Sequence, residues 1–141
     1  VHENTAAYIR RGYSLDCFEE AFYALKKIGA AVIVHVILGL PGETEEDMLA
    51  TVQYLVDLKV DGIKLQLLHV LRGTDLERDF LAGKFEVLSM DEYVSIVRHC
   101  LARIPPEIVV HRVTGDGPRS LLLAPMWSTD KKRILNRILR P

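Results

Sequence analysis

The chain has 141 residues, of which 49% are hydrophobic, 26% charged and 7% aromatic; that is enough apolar side chain for one sizeable core and too much for a disordered segment. Eighteen Lys and Arg against 19 Asp and Glu leave a formal charge of −1, so no overall basic field recruits nucleic acid. Cys17 and Cys100 stand far apart and spell neither a disulfide framework nor a metal knuckle, and the longest apolar run falls well short of the roughly 20 residues of a membrane span.

Phe18, Ala21, Phe22, Leu25 and Ile28 recur at spacings of three and four, which predicts a helix. Ser14 or Asp16 can cap it, Asp16-x-x-Glu19 resembles a capping box, and Gly29 ends it. Residues 31–38 are β-branched and almost continuously apolar, as suits a parallel strand covered on both faces. Gly39-Leu-Pro-Gly42 breaks that strand, and Thr44-x-x-Asp47 opens a second helix with the stripe Met48, Leu49, Val52, Leu55 and Leu58. Asp61-Gly62 turns into a second strand over residues 63–70, with Ile63, Leu65 and Leu67 on one face. Residues 71–88 are polar and irregular, with a short helix around 76–81. Ser89-x-x-Glu92 is a capping box for a third helix through Tyr93, Val94, Val97 and Leu101, stopped by Pro105 and Pro106. Residues 107–113 read as a third strand, 115–118 as a loop and 130–139 as a short basic helix. Helix and strand alternate at the spacing of βα units, which implies an α/β chain with a parallel sheet. Three strands are few. A closed (β/α) barrel takes about 250 residues, so the pattern fits a small three-layer domain or the back half of a barrel.

Ligands of parallel α/β folds gather at the C-terminal strand ends. His35, His69 and His111, the last beside Arg112, lie near that edge. They suit the polar lining of a cleft better than a zinc site, because no carboxylate or cysteine stands at a ligand spacing beside them. No metal site is assigned. The loop from Gly39 to Thr44 joins a strand to a helix N-terminus, where free N–H groups favour an anion, although no Gly-Lys-Ser/Thr follows as in a Walker loop. No serine or cysteine shows a nucleophile context. Lys131, Lys132, Arg133, Arg137 and Arg140 against Asp130 put +4 on residues 130–141 and leave −5 on residues 1–129. This basic stretch can touch RNA phosphates, while a solvated helix face is the ordinary reading of such a charge run.

Six words in order carry a likeness: His2-Glu-Asn-Thr5, Arg10-Arg-Gly-Tyr-Ser14, Gly39-Leu-Pro-Gly-Glu-Thr44, Asp61-Gly-Ile-Lys64, Leu68-His-Val-Leu-Arg-Gly-Thr74 and Leu123-Ala-Pro-Met-Trp127. Together they resemble the C-terminal part of an uncharacterised bacterial radical S-adenosylmethionine (radical SAM) protein family. Its nearer relatives include the elongator catalytic subunit and oxygen-independent coproporphyrinogen oxidase. The resemblance runs from Val1 to about Trp127. It implies the C-terminal portion of a partial (β/α)6 barrel, starting just after the fourth strand, over residues 1–127, with a basic tail over 128–141. The opening Val1, in place of Met, fits a piece of a longer, cytoplasmic protein.

The resemblance also implies a reaction. The full-length protein would use S-adenosylmethionine and a 4Fe–4S cluster to generate a 5′-deoxyadenosyl radical that abstracts hydrogen from a substrate. The Cys-x3-Cys-x2-Cys loop that holds such a cluster and the glycine-rich second-strand segment are both absent here, so this chain is expected to be inactive alone and to hold no cluster. Carried over by motif, Ile37 and Gly39 match the I-x-G that packs against adenine, His35 occupies the position before it, and Arg11 falls where relatives reach the methionine carboxylate or ribose. Leu68 and His69 lie where adenine or substrate is touched, and His111 and Arg112 line the substrate side. The expected partners are the N-terminal half of the same polypeptide and, for this chain by itself, a second copy joined near Ile33, Ile37 and Leu65. The competing classes are a stand-alone α/β module binding a nucleotide or phosphate at the Gly39–Thr44 loop, and a domain docking RNA or a partner through its basic helix.

Overall fold

A computed structural model describes residues 1–115 and 117–140. The elements are α1 (Glu3–Tyr8), α2 (Leu15–Lys27), β1 (Ile33–Leu38), α3 (Glu45–Asp57), β2 (Gly62–Leu67), β3 (Val70–Leu71), α4 (Asp75–Leu81), α5 (Met90–Arg103), β4 (Val109–Arg112), β5 (Leu122–Ala124), a short 3-10 helix (Met126–Thr129) and α6 (Lys131–Leu139). β1, β2 and β4 form one parallel sheet in that order, and β3 pairs antiparallel with β5. Strands alternating with helices in a parallel sheet are the α/β architecture that the sequence pattern implies.

Local chemistry sets the helix starts. Ser14 caps α2, its hydroxyl accepting the Cys17 N–H at 3.2 Å, and so supplies one of the first turn's orphan donors with a partner. Asp16 therefore lies inside the helix and is not its cap. The boxes Thr44–Asp47 and Ser89–Glu92 close in both directions at the starts of α3 and α5. Gly39 and Gly42 adopt positive φ of 84° and 82°, which lets the chain leave β1 and turn sharply into α3.

The two faces of the sheet differ. Val36 and Leu38 of β1 stand beside Leu65 and Leu67 of β2 and are buried. Met48, Leu49, Val52 and Leu55 of α3, Tyr93, Val94, Val97 and Cys100 of α5, and Ile134 and Ile138 of α6 complete the same core. Each Val, Leu, Ile or Met among them contributes about 1.5–3 kcal/mol by leaving water. The opposite face is open. Ile33, Ile37 and Val109 are 39%, 37% and 55% exposed there.

Three expectations need correction. The run 31–38 starts as a strand only at Ile33 and is covered on one face only, its alternate residues reaching solvent. Leu65 does not share a face with Ile33 and Ile37; it pairs in register with Val36 and is fully buried under the helices. The α2 stripe is also used in part: Phe22 is buried, while Leu25 and Ile28 are 43% and 78% exposed. Of the loop predicted over 115–118, Asp116 lies outside the described residues.

Candidate functional site

A cavity of about 390 Å³ runs along β1, lined among others by Arg11, His35, Ile37, Glu43, Tyr54 and Gln66. β1 is the outer strand of its sheet, and α1, α2 and α3 supply the remaining wall. Tyr54 ties two of these helices together, its hydroxyl donating to the Glu19 carboxylate at 2.5 Å. Burial raises the Glu43 carboxyl above the usual carboxylate range, with His2 opposing the rise.

Arg11 is held in place before any ligand arrives. Its Nε donates to the Tyr13 carbonyl at 2.8 Å and its Nη2 to Glu3 Oε1 at 3.0 Å. The guanidinium lies 5.0 Å from the centre of the Tyr13 ring, within cation–π range. The same Glu3 oxygen accepts the Leu15 N–H at 3.0 Å. That backbone bond, followed by the Arg11 hydrogen bond, holds the Glu3 carboxyl below its ordinary range. Glu3 thus joins α1, Arg11 and the start of α2.

A second hollow, about 250 Å³, lies at the C-terminal ends of β1 and β2 and is lined by Ile37, Gln66, Leu67, Leu68, His69, Gly115 and Gly117. Gly115 and Gly117 close over the His69 imidazole; a Cβ on either would come within 2.5 and 2.6 Å of ring nitrogens. Ile37 and Gln66 line both hollows. The eight predicted residues therefore divide. Arg11, His35 and Ile37 meet in the first hollow, and Leu68 and His69 in the second. Gly39 lines neither: it is buried, donates its N–H to the Met48 sulfur at 3.1 Å, and leaves no room for a Cβ, which would meet Leu88 at 2.9 Å.

His111 and Arg112 sit on β4, away from both hollows. The β2–β4 pairing slips between Ile63 and Lys64, so His111 is the extra residue of a bulge, and its ring leans over Gly62 on the open face. Among the described residues no group of three His, Cys, Asp or Glu side chains comes together as metal ligands. Cys17 is exposed, whereas Cys100 is buried, which pushes its thiol up to about 11. No helix of the described residues is long and apolar enough to cross a membrane.

Gln66 lines the site and Glu3 holds Arg11 in it, and neither was predicted from the sequence. For Gln66 the signal was present: in Gly-Ile-Lys-Leu-Gln-Leu the apolar residues alternate with polar ones, which places Gln66 on the open face.

A profile of the Radical_SAM C-terminal domain matches residues 60–140. The chain is 46% identical over 138 residues to the uncharacterised protein YtqA of Bacillus subtilis and 32% identical over 131 residues to protein YhcC of Escherichia coli K12. These matches span 98% and 93% of this chain but 43% and 42% of the relatives, so the chain corresponds to under half of each. In three dimensions it is similar to the archaeal Methanocaldococcus infernus Elp3 with an N-terminal deletion, at a TM-score of 0.77 and 22% identity, over 87% of this chain and 30% of that one. At that identity the likeness speaks for the fold.

Proposed function

Because this chain belongs to the radical SAM C-terminal domain family, we propose that it is the C-terminal wall of a radical SAM enzyme's partial barrel, completed by an N-terminal half of the same polypeptide. The observation that carries this reading is the convergence of Arg11, His35 and Ile37 on one cavity along the outer strand β1. A strand edge and a sheet face that both stand open are what a barrel wall presents where the rest of the barrel belongs. The chain's span of 43% of YtqA supports it as well.

The residues present fit S-adenosylmethionine on one side. A pre-oriented guanidinium, an apolar strand face and the Gln66 amide suit a ligand with a carboxylate, a flat base and a ribose. They do not fit the 4Fe–4S cluster, since Cys17 is exposed on α2 and Cys100 is buried in α5, and the cluster is assigned to the missing half. Bound S-adenosylmethionine, given one electron by the cluster of the other half, would supply the hydrogen-abstracting chemistry. Arg11 would hold its carboxylate or ribose, Ile37 would lie against adenine with buried Gly39 only setting the turn behind it, and Leu68 and His69 would contact adenine or substrate. His111 and Arg112 face the substrate. The nucleotide-module alternative loses ground at the α3 N-terminus, where Glu45, Glu46 and Asp47 crowd the first turn and repel an incoming phosphate.

Calorimetric titration of the full-length protein tests this. Arg11→Ala is expected to weaken S-adenosylmethionine binding by about 1.5–3 kcal/mol, the range of a hydrogen bond to a charged group. An affinity equal to that of the parent protein would remove Arg11 from the site and the reading with it.

A further inference from the structure

The turn that delivers Arg11 to its hollow is made by a residue ill suited to it. Arg10 takes a φ of 56°, in the left-handed region. The Arg10 N–H donates to the Ala7 carbonyl at 3.1 Å, and the Arg11 N–H to the Ala6 carbonyl at 2.9 Å. That pair of bonds ends α1 in a Schellman turn, whose left-handed position glycine fills at no steric cost. An arginine there is strained, and such a conformation persists where its surroundings over-determine it.

The surroundings are supplied by α4. Asp75 forms an ion pair with Arg10, and Asp79 accepts the Tyr8 hydroxyl hydrogen at 2.6 Å. The two carboxylates stand four residues apart, on one face of α4, and grip the residues on either side of Ile9. Ile9 and Arg11 line the first hollow, whereas Tyr8, Arg10, Asp75 and Asp79 line neither hollow. Direct contact with a ligand therefore does not account for these four. Nor does the core, since no residue of α4 is buried. The remaining polar bonds of the segment are local: Glu77 accepts the Gly73 N–H at 2.7 Å, and Lys84 pairs with Asp79 at 2.7 Å. Among the described residues, the polar side chains of α4 bond to no other helix or strand but α1.

We propose that α4 is a strap and that Asp75 and Asp79 are positioning residues: through Arg10 and Tyr8 they hold the turn that aims Arg11 at its ligand. The consequence for S-adenosylmethionine rests on the radical SAM reading; the hold on the Arg11 side chain does not. The test has two arms. In the 141-residue chain, solvent exchange of the Arg11 Nε–H reports its bond to the Tyr13 carbonyl. Asp75→Asn combined with Asp79→Asn is expected to speed that exchange about threefold, the scale of two exposed pairs. Glutamate at both positions should restore the parent rate, and Glu86→Gln, which removes a like charge beyond the end of α4, should leave it unchanged. Asp79→Asn alone serves if the double variant does not fold. In the full-length protein, the double variant should weaken S-adenosylmethionine binding about threefold by calorimetry, and have no further effect once Arg11→Ala is in place. Exchange as slow in the double variant as in the parent overturns the strap. So does a threefold weakening that persists undiminished beside Arg11→Ala, because the carboxylates would then act without Arg11. If Arg11→Ala by itself leaves S-adenosylmethionine binding unchanged, the radical SAM reading of Arg11 falls, while faster Nε–H exchange still upholds the strap.

Discussion

Glu3 organises the approach to Arg11 more than any other side chain. One of its oxygens serves both the guanidinium and the first N–H of α2. An amide in its place keeps an acceptor for Leu15 but loses the charge. Glu3→Gln in the full-length protein is therefore expected to weaken S-adenosylmethionine binding by about threefold, less than Arg11→Ala, in the same calorimetric titration. Gly62 is a second position where one atom decides the outcome. A Cβ there meets the His111 ring at 2.7 Å and the Val109 carbonyl at 3.1 Å, and the backbone oxygen cannot rotate away. Gly62→Ala should cost about 1–3 kcal/mol in urea unfolding and displace the His111 resonances. Asp61 ties the sheet's lower end, accepting from Lys26 at 2.7 Å and from the Val32 N–H at 2.7 Å. The Lys26 ammonium first and that N–H second hold its carboxyl below the ordinary 3.8. The folded pKa thus lies below the unfolded one, so the stability from Asp61 is complete above the unfolded value. It declines as the pH falls from about 4 through the folded pKa. Urea midpoints measured across that window should fall less steeply in Asp61→Asn than in the parent chain.

The helices that announce themselves in the sequence are those whose first turns are chemically closed. Ser89 accepts the Glu92 N–H while Glu92 accepts the Ser89 N–H at 2.8 Å, and removing the hydroxyl in Ser89→Ala is expected to cost about 1 kcal/mol in urea unfolding. Thr44 and Asp47 do the same for α3, and the apolar stripe behind each box reads directly as its buried face. Elements without such signals were illegible. α1 is six residues with no side-chain cap, and β5 is three residues whose partner is the two-residue β3; neither is long enough to show a period. The third strand starts at Val109 and not at Glu107 because the Ile108 N–H is taken by the Pro105 carbonyl in a turn. Of the site, the words around Arg11, His35 and Leu68 were readable as a family likeness. The seating of His111 over Gly62 was not, since it depends on how the strands align and on where one of them bulges.

At the scale of the molecule, β1 presents an unpaired edge, and Ile33, Ile37 and Val109 lie on an open face. Exposed edges and apolar patches draw partners. We propose that the isolated chain self-associates through them. Light scattering is expected to give a mass above 16.0 kDa that falls on dilution, and Ile33→Lys should move the population toward monomer. A constant 16.0 kDa across dilution would show that this face is stable uncovered. Iron and sulfide offered to the chain should give no stoichiometric cluster absorption, because two thiols set far apart in the fold cannot replace three convergent ones. The alternation along β1 and β2 also separates two kinds of inheritance. Val36, Leu38, Ile63, Leu65 and Leu67 hold the helices, and a change in any of them is felt by the whole core. Their immediate neighbours His35, Lys64 and Gln66 point the other way. A substitution in that second set leaves the packing of the first untouched, so ligand preference can be altered one residue away from positions whose volume the core fixes.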